Sequence, residues 1–411
     1  MVVFSSLDAR NTMSSANVMA AERPAVNHSF KTTVDAVMDA ALNEQRLVGA
    51  VVLVQHRGSN VYRRADGWAD RESQRPMRAD TLFRLASISK PIVTAAAMAL
   101  ISRGVLDLDV AVTRWLPDFQ PKLADGSTPV ITLRHLLSHS AGLGYRFIDA
   151  ELDGAHARAG VSDGMDASDI SLAENVRRIA AVPLQFAPSQ GWGYSLGIDV
   201  VGAVLEAASG QPLNAIVRDV ICAPLGMSDT AFHAVDATRL ATAYVSDTPS
   251  PHRLGEGEVV PPFPDVAGII YSPSRALDTH AFPSGGAGMV GTTGDFMTLL
   301  ETLRRGGEPL MQPEWIGEMG RIQTGDFGPP DAPGWGFGLG FSVLRDPSLT
   351  ATPEAPGTWR WGGAYGHSWF VDATRALSVV AFTNTLYEGM SGAFVTELRD
   401  AVYVGLAQGE L

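Results

Sequence analysis

Phe83-Arg84-Leu85-Ala86-Ser87-Ile88-Ser89-Lys90 leads directly into the apolar run Pro91 to Leu100. The run predicts a buried helix. Pro91 fits its first turn, where proline is tolerated, and Gly104 supplies a stop after Arg103. Positions three apart share a helix face, so Ser87 Oγ and Lys90 Nζ are expected to meet. A serine hydroxyl is a weak nucleophile until something takes its proton, and a lysine in apolar surroundings is one group able to do so. At the helix start, the positive end of the helix dipole favours a developing oxyanion. On its own, Ser-x-x-Lys equally marks a capped amphipathic helix, so the rest of the chain has to decide.

The chain has 411 residues, long enough for two or three domains with ample core. Its net charge of −13 argues against nucleic acid and against anionic membrane surfaces as partners. No apolar run reaches the ~18 residues of a membrane-spanning helix. Met1 to Phe30 lacks a basic stretch followed by an apolar one, so a cytoplasmic location is expected. The lone cysteine, Cys222, excludes an intramolecular disulfide and reads as a small core residue. His135 and His139 form an i,i+4 pair without the glutamate of a His-Glu-x-x-His site, so no metal and no cofactor are expected.

Residues 1–27 read as a flexible arm. Lys31 to Arg46 has helical periodicity; Val48 to Gln55 and Val61 to Ala69 read as paired strands around a turn at Gly58-Ser59-Asn60. From 105 to 280 helices dominate: Ala111 to Leu116, Thr132 to Ser138, Ser168 to Ala181, Ile198 to Ala208 ending at Gly210, and Leu213 to Ile221. Gly255 to Pro264 reads as a Pro/Gly-rich loop, and Thr293 to Arg304 as a helix after Gly285-Gly286-Ala287-Gly288-Met289. Strands return at Gly336 to Leu344, Thr358 to Ala364, His367 to Asp372 and Ala376 to Thr383, before a helix from Ser391 to Leu406. The pattern predicts an α+β, two-lobed fold. One antiparallel sheet is built from both ends of the chain (28–104 and 281–411) and flanked by helices, with a mostly helical lobe (105–280) inserted.

Two further segments join the first. Phe186-Ala187-Pro188-Ser189-Gln190-Gly191-Trp192-Gly193-Tyr194-Ser195-Leu196-Gly197 places a tyrosine just ahead of a helix. Tyr194 is either a general acid–base group at the cleft or a phenol closing a buried helix end. Trp361-Gly362-Gly363-Ala364-Tyr365-Gly366-His367-Ser368-Trp369-Phe370-Val371-Asp372 reads as a glycine-rich strand that lets a ligand approach its backbone. In this order the three segments resemble the serine β-lactamase and penicillin-binding superfamily, in particular the family VIII carboxylesterases. The likeness covers nearly the whole chain and includes Thr132 to Leu143, Pro224-Leu225-Gly226-Met227 and the Gly285 to Met289 stretch.

The resemblance implies a β-lactamase/transpeptidase-like fold, Ser87 as nucleophile, and Lys90 and Tyr194 as its proton partners. It implies the N–H groups of Ser87 and Ala364 as oxyanion donors. Tyr145 matches a pocket residue; Asp199 matches a position near the site or is a first-turn acid at a helix N-terminus. Trp361, Gly362, Gly363, Tyr365 and His367 are expected around the substrate, with the core an equal alternative for His367 and Trp369. Two departures matter. Tyr194-Ser195-Leu196 lacks the asparagine of the β-lactamase Tyr-x-Asn, and Trp361 stands where those enzymes have a lysine. An indole cannot pair with an antibiotic's carboxylate, an interaction of roughly 1.5–3 kcal/mol. The expected substrates are therefore short-chain carboxylic esters, with acyl transfer and weak cephalosporin turnover as side activities. A β-lactamase or D,D-peptidase, and a module that acylates without turnover, are the alternatives. The sequence leaves the oligomeric state open. Gly193-Tyr194-Ser195-Leu196-Gly197 also fits Gly-x-Ser-x-Gly, but its approach is rich in turn formers, where that motif needs an apolar strand.

Overall fold

The computed structural model describes residues 28–408; the arm expected over 1–27 lies outside them. Helix α1 (His28–Asn43) precedes the hairpin β1 (Gly49–His56) and β2 (Ser59–Asp70), which is followed by the short β3 (Arg75–Pro76). The apolar run forms α2 (Ser89–Ser102), with Ser87 in the 3-10 turn Ala86–Ile88 at its head. The middle of the chain carries α3 (Leu133–Leu137), α4 (Leu172–Ala180) and α5 (Gly197–Ser209), the last closed by Gly210 at φ +68°. After α6 (Thr293–Arg304) come β4 (Trp335–Phe337), β5 (Ser342–Leu344), β6 (Trp359–Gly363), β7 (His367–Asp372), β8 (Leu377–Thr383) and α7 (Ala393–Gln408).

Among the described residues the main sheet runs β4-β5-β6-β7-β8-β1-β2-β3, antiparallel throughout. β1 is the seam: it pairs with β8 through Ala50↔Thr383 to His56↔Leu377 and with β2 on its other side. Its residues alternate between two cores, as a two-residue repeat demands. Ala50, Val52 and Val54 face α1 and α7; Val51 and Leu53 face the larger core that contains α2 and α5. α2 is buried along almost its whole length, Lys90 included, which is why its sequence is apolar all round.

Two readings need correction. Gly336 to Leu344 is two strands, because Gly340 at φ +85° turns the chain between them, and Gly–apolar alternation disguised the turn as strand. The segment Gly255 to Pro264 contains a strand, Glu258–Val260, paired with Ile269–Tyr271; the prolines flank the ladder without occupying it. Leu213 to Ile221 is helical, but its second half, Arg218–Cys222, winds into a π-turn. No single helix among the described residues is long and apolar enough to cross a membrane.

Candidate active site

The site forms where the head of α2, the segment before α5 and the end of β6 converge. Ala86, at φ +45°, turns the chain sharply ahead of Ser87; a non-glycine residue there stores strain, a common mark of functional turns. Ser87 is half-buried, whereas Lys90 is fully buried. Lys90 Nζ donates to Ser87 Oγ at 3.1 Å and to the Gly286 carbonyl at 2.7 Å. Tyr194 Oη donates to Ser87 Oγ at 2.6 Å. Lys90 Nζ lies 4.8 Å from the Tyr194 ring centre and 5.4 Å from that of Tyr145. A hydroxyl, an amine and a phenol from three separate segments thus share one hydrogen-bonded cluster.

Gly286 explains part of the glycine run before α6. A Cβ there would stand 2.5 Å from Asp199 Oδ2 and 3.5 Å from Lys90 Nζ, so only glycine lets its carbonyl reach the amine. Burial pushes the Asp199 carboxyl up to about 6, with the Ser284 hydroxyl and the Lys90 and Arg275 charges pulling it partway back. Burial also drives Tyr145 well above the ordinary phenol value, with Tyr194 and Asp199 adding to the shift. Gly363 brings β6 against the turn that carries Ser87: a Cβ there would lie 2.5 Å from the Leu85 carbonyl oxygen.

Trp361 is half-buried and packs 5.3 Å from Tyr194 and 5.2 Å, edge-on, from Phe337. Trp192 joins this wall at 5.5 Å from Phe337. Neither Phe337 nor Trp192 was singled out from sequence, because their meeting joins β4 to a loop more than a hundred residues earlier.

Ser87, Lys90, Tyr194, Tyr145 and Trp361 therefore come together, and the remaining candidates take places around them. His367 is buried; its Nε2 bonds the Arg84 carbonyl at 2.8 Å and its ring packs between Phe83 and Phe382, so it buttresses the strand ahead of Ser87 from the core side. Burial pulls it down to about 4. Tyr365 is buried against Tyr271, 5.2 Å away, with the Arg84 guanidinium at 5.9 Å; with Arg84, Met165 and Arg275 it lines a small cavity of ~20 Å³. Asp199 has no exposed surface and acts on the site from beneath Gly286. Gly362 serves packing, since its Cβ would meet Met390 Cγ at 2.8 Å. Trp369, left between pocket and core, is a core residue against Phe296 and Phe341.

Ser195 is buried and hydrogen-bonded to His139 Nδ1 at 3.1 Å; no strand runs into it. The Cys222 thiol is buried too, and burial raises it to about 12.

The model of the family described as "Beta-lactamase" matches residues 33–403. The chain belongs to that family. Within the beta-lactamase family it is 50% identical to Esterase EstB of Burkholderia gladioli over 377 residues, covering 91% of this chain and 95% of that protein. Among solved structures it resembles EstCE1, described as a hydrolase with promiscuous acyltransferase activity. The TM-score is 0.89 and the identity 47%, over 91% of this chain and 98% of that one. Simvastatin synthase from Aspergillus terreus shares the fold, with TM-score 0.71 and 23% identity over 93% of this chain and 96% of that one.

Proposed function

We propose that Ser87, Lys90 and Tyr194 hydrolyse carboxylic esters through an acyl-enzyme on Ser87. The chain is a carboxylesterase of the beta-lactamase family. The observation that carries the assignment of residues is the double hydrogen bond on one hydroxyl: Lys90 Nζ and Tyr194 Oη both reach Ser87 Oγ. Either partner is within range of the serine proton, and the pair shares general-base duty. Ser87 attacks the ester carbonyl, the N–H groups of Ser87 and Ala364 hold the oxyanion, and Tyr194 returns the proton to the leaving alcohol. Water activated by the same pair then releases the acid.

Tyr145 and Trp361 are the walls we assign to substrate, and a small, uncharged ester is the substrate class they suit. The aromatic wall of Trp361, Trp192 and Phe337 carries no cation for a carboxylate, which supports esters over β-lactams. It also supports acyl transfer to an alcohol as a side reaction, the kind of activity attributed to EstCE1. We further propose that residues 105–280 form the second lobe, which brings Tyr145 and Tyr194 to the sheet-borne nucleophile.

Labelling with a fluorophosphonate followed by peptide mass spectrometry tests the assignment. The adduct is expected on Ser87; an adduct on any other serine, with p-nitrophenyl acetate turnover surviving Ser87→Ala, overturns it. Nitrocefin turnover as fast as p-nitrophenyl ester turnover would favour the β-lactamase alternative.

A further inference from the structure

We infer that His139 is a positioning residue for Tyr194, held to that task by Ser195; the inference rests on the esterase reading above. His139 touches the tyrosine's segment on both sides of it. Its carbonyl accepts the Gly193 N–H at 2.9 Å, and its Nδ1 bonds Ser195 Oγ at 3.1 Å. Its imidazole packs 4.9 Å from the Tyr194 ring at 61°. One residue thus fixes the backbone before the phenol, the side chain after it and the phenol ring itself. His139 adopts φ +56°, a left-handed conformation that histidine shares with asparagine and aspartate more often than other side chains do, and which aims carbonyl and ring at the same neighbour.

Ser195 Oγ also accepts the Gly197 N–H at 3.4 Å, and its second lone pair or its own hydrogen completes the bond with Nδ1 in either imidazole tautomer. Nε2 has no oxygen or nitrogen partner among the described residues. The rings of Tyr194, Trp192 and Phe337 pack around the imidazole at steep angles, from 61° to 80°. Burial and the Lys90 charge hold this histidine neutral, so it adds no competing charge beside the Ser87 cluster.

One turn earlier, His135 repeats the device further out. Its Nδ1 accepts the Thr132 N–H at 3.2 Å, and its Nε2 bonds Ser189 Oγ at 3.0 Å. Main-chain bonds fill the gap, from Ser189 N–H to the Ser140 carbonyl at 2.9 Å and from Leu196 N–H to the Gly144 carbonyl at 3.1 Å. The i,i+4 histidines therefore clamp the loop that carries the phenol. Both the histidine pair and the Gly-x-Ser-x-Gly pattern acquire a role this way, neither as metal ligand nor as nucleophile.

The test is steady-state hydrolysis of p-nitrophenyl acetate, with kcat expressed per Ser87 titrated to completion by fluorophosphonate. Misplacing a catalytic group by about 1 Å costs about 100-fold, so His139→Ala is expected to lower kcat by about that factor with KM within about threefold. Asparagine tolerates the left-handed conformation and puts an acceptor near Nδ1, so His139→Asn is expected to recover about tenfold of that loss. In a Tyr194→Phe background, His139→Ala is expected to change kcat less than about twofold, because its effect passes through the phenol. An unchanged kcat per titrated site in His139→Ala, or the same loss with Tyr194 absent, overturns the inference. Should His139→Ala fail to fold, Ser195→Ala takes its place, with about a tenfold loss that Tyr194→Phe abolishes. A wild-type enzyme without Ser87-dependent ester hydrolysis would instead defeat the esterase reading itself. Ser87-dependent hydrolysis that is indifferent to His139 and Ser195 would defeat only this inference.

Discussion

Ser87 Oγ lies 3.1 Å from Lys90 Nζ, and Ser195 Oγ lies 3.1 Å from His139 Nδ1. Each serine is thus paired with a nitrogen base at the same distance, and each belongs to a motif associated with nucleophilic serines. The surroundings separate them. Ser87 is half-buried, follows a strained residue, has a second proton partner in Tyr194 and stands beside the end of a strand. Ser195 is sealed, its second contact is a main-chain N–H, and its base is neutral and enclosed by rings. A serine–base distance is therefore a poor criterion by itself. Access for the substrate and a second group to carry the proton onward distinguish a reactive pair from a structural one.

The comparison can be broken most directly at the nucleophile. Ser87→Ala is expected to lower kcat on p-nitrophenyl acetate by about 10⁴- to 10⁶-fold, the scale of losing a catalytic serine. Fluorophosphonate label appearing on Ser195 in that variant would erase the distinction between the two sites.

Charge offers the next test, because a buried carboxyl, Asp199, stands beside the Ser87 cluster, whereas the histidine of the Ser195 pair is held neutral by burial. Asp199 titrates near 6 in the fold against 3.8 as a free side chain. The fold therefore binds that proton more tightly than the unfolded chain, and ionising Asp199 costs stability as pH rises from about 4 to about 6. Asp199→Asn is expected to be more stable than wild type at pH 7, on the order of 3 kcal/mol, with the gain vanishing below about pH 4. Urea unfolding at the two pH values measures this; an equal difference at both would show that the carboxyl's charge is not its source.

Gly286→Ala sharpens the contrast sterically. Its new Cβ would stand 2.5 Å from Asp199 Oδ2, an overpacking expected to cost about 1–3 kcal/mol. Because the Gly286 carbonyl anchors Lys90, kcat should fall in the same variant while the His139–Ser195 pair is untouched; denaturant midpoints alongside kcat would check both halves. The smallest effect is expected at the wall. Trp361→Ala should raise KM for an aromatic ester about tenfold with little change in kcat, as for loss of uniform binding. A drop in kcat with KM unchanged would place Trp361 in the chemistry instead.

What could be read from sequence was mostly local. Ser-x-x-Lys predicts its own geometry, because helical spacing brings the two side chains together without reference to any other part of the chain. Tyr194 stood out ahead of a helix with its role open, and the resemblance implied the pairing; its phenol reaches Ser87 across 107 positions, a distance no periodicity encodes. His367 was left open between pocket and core, because a glycine-rich strand next to the site allowed ligand contact; strand register turns its ring toward Phe83 and Phe382. The roles of Gly286 and His139 were not legible, since each is defined by what stands within a few ångströms of it in three dimensions. The sheet itself was legible from its alternating strands at the two ends, and the turn at Gly340 was hidden by the same alternation.

The seam at β1 has a consequence for how the protein is made. A ribosome releases β1 early, yet its neighbour β8 and the strand β6 beside the Ser87 turn are translated only after α2 to α6. The nascent polypeptide must carry β1 with one edge unpaired until β8 emerges, open to chaperones and to mispairing with other chains. Enzymatic competence therefore has to wait for β6 and β8, so a chain cut short before them is expected to show no turnover.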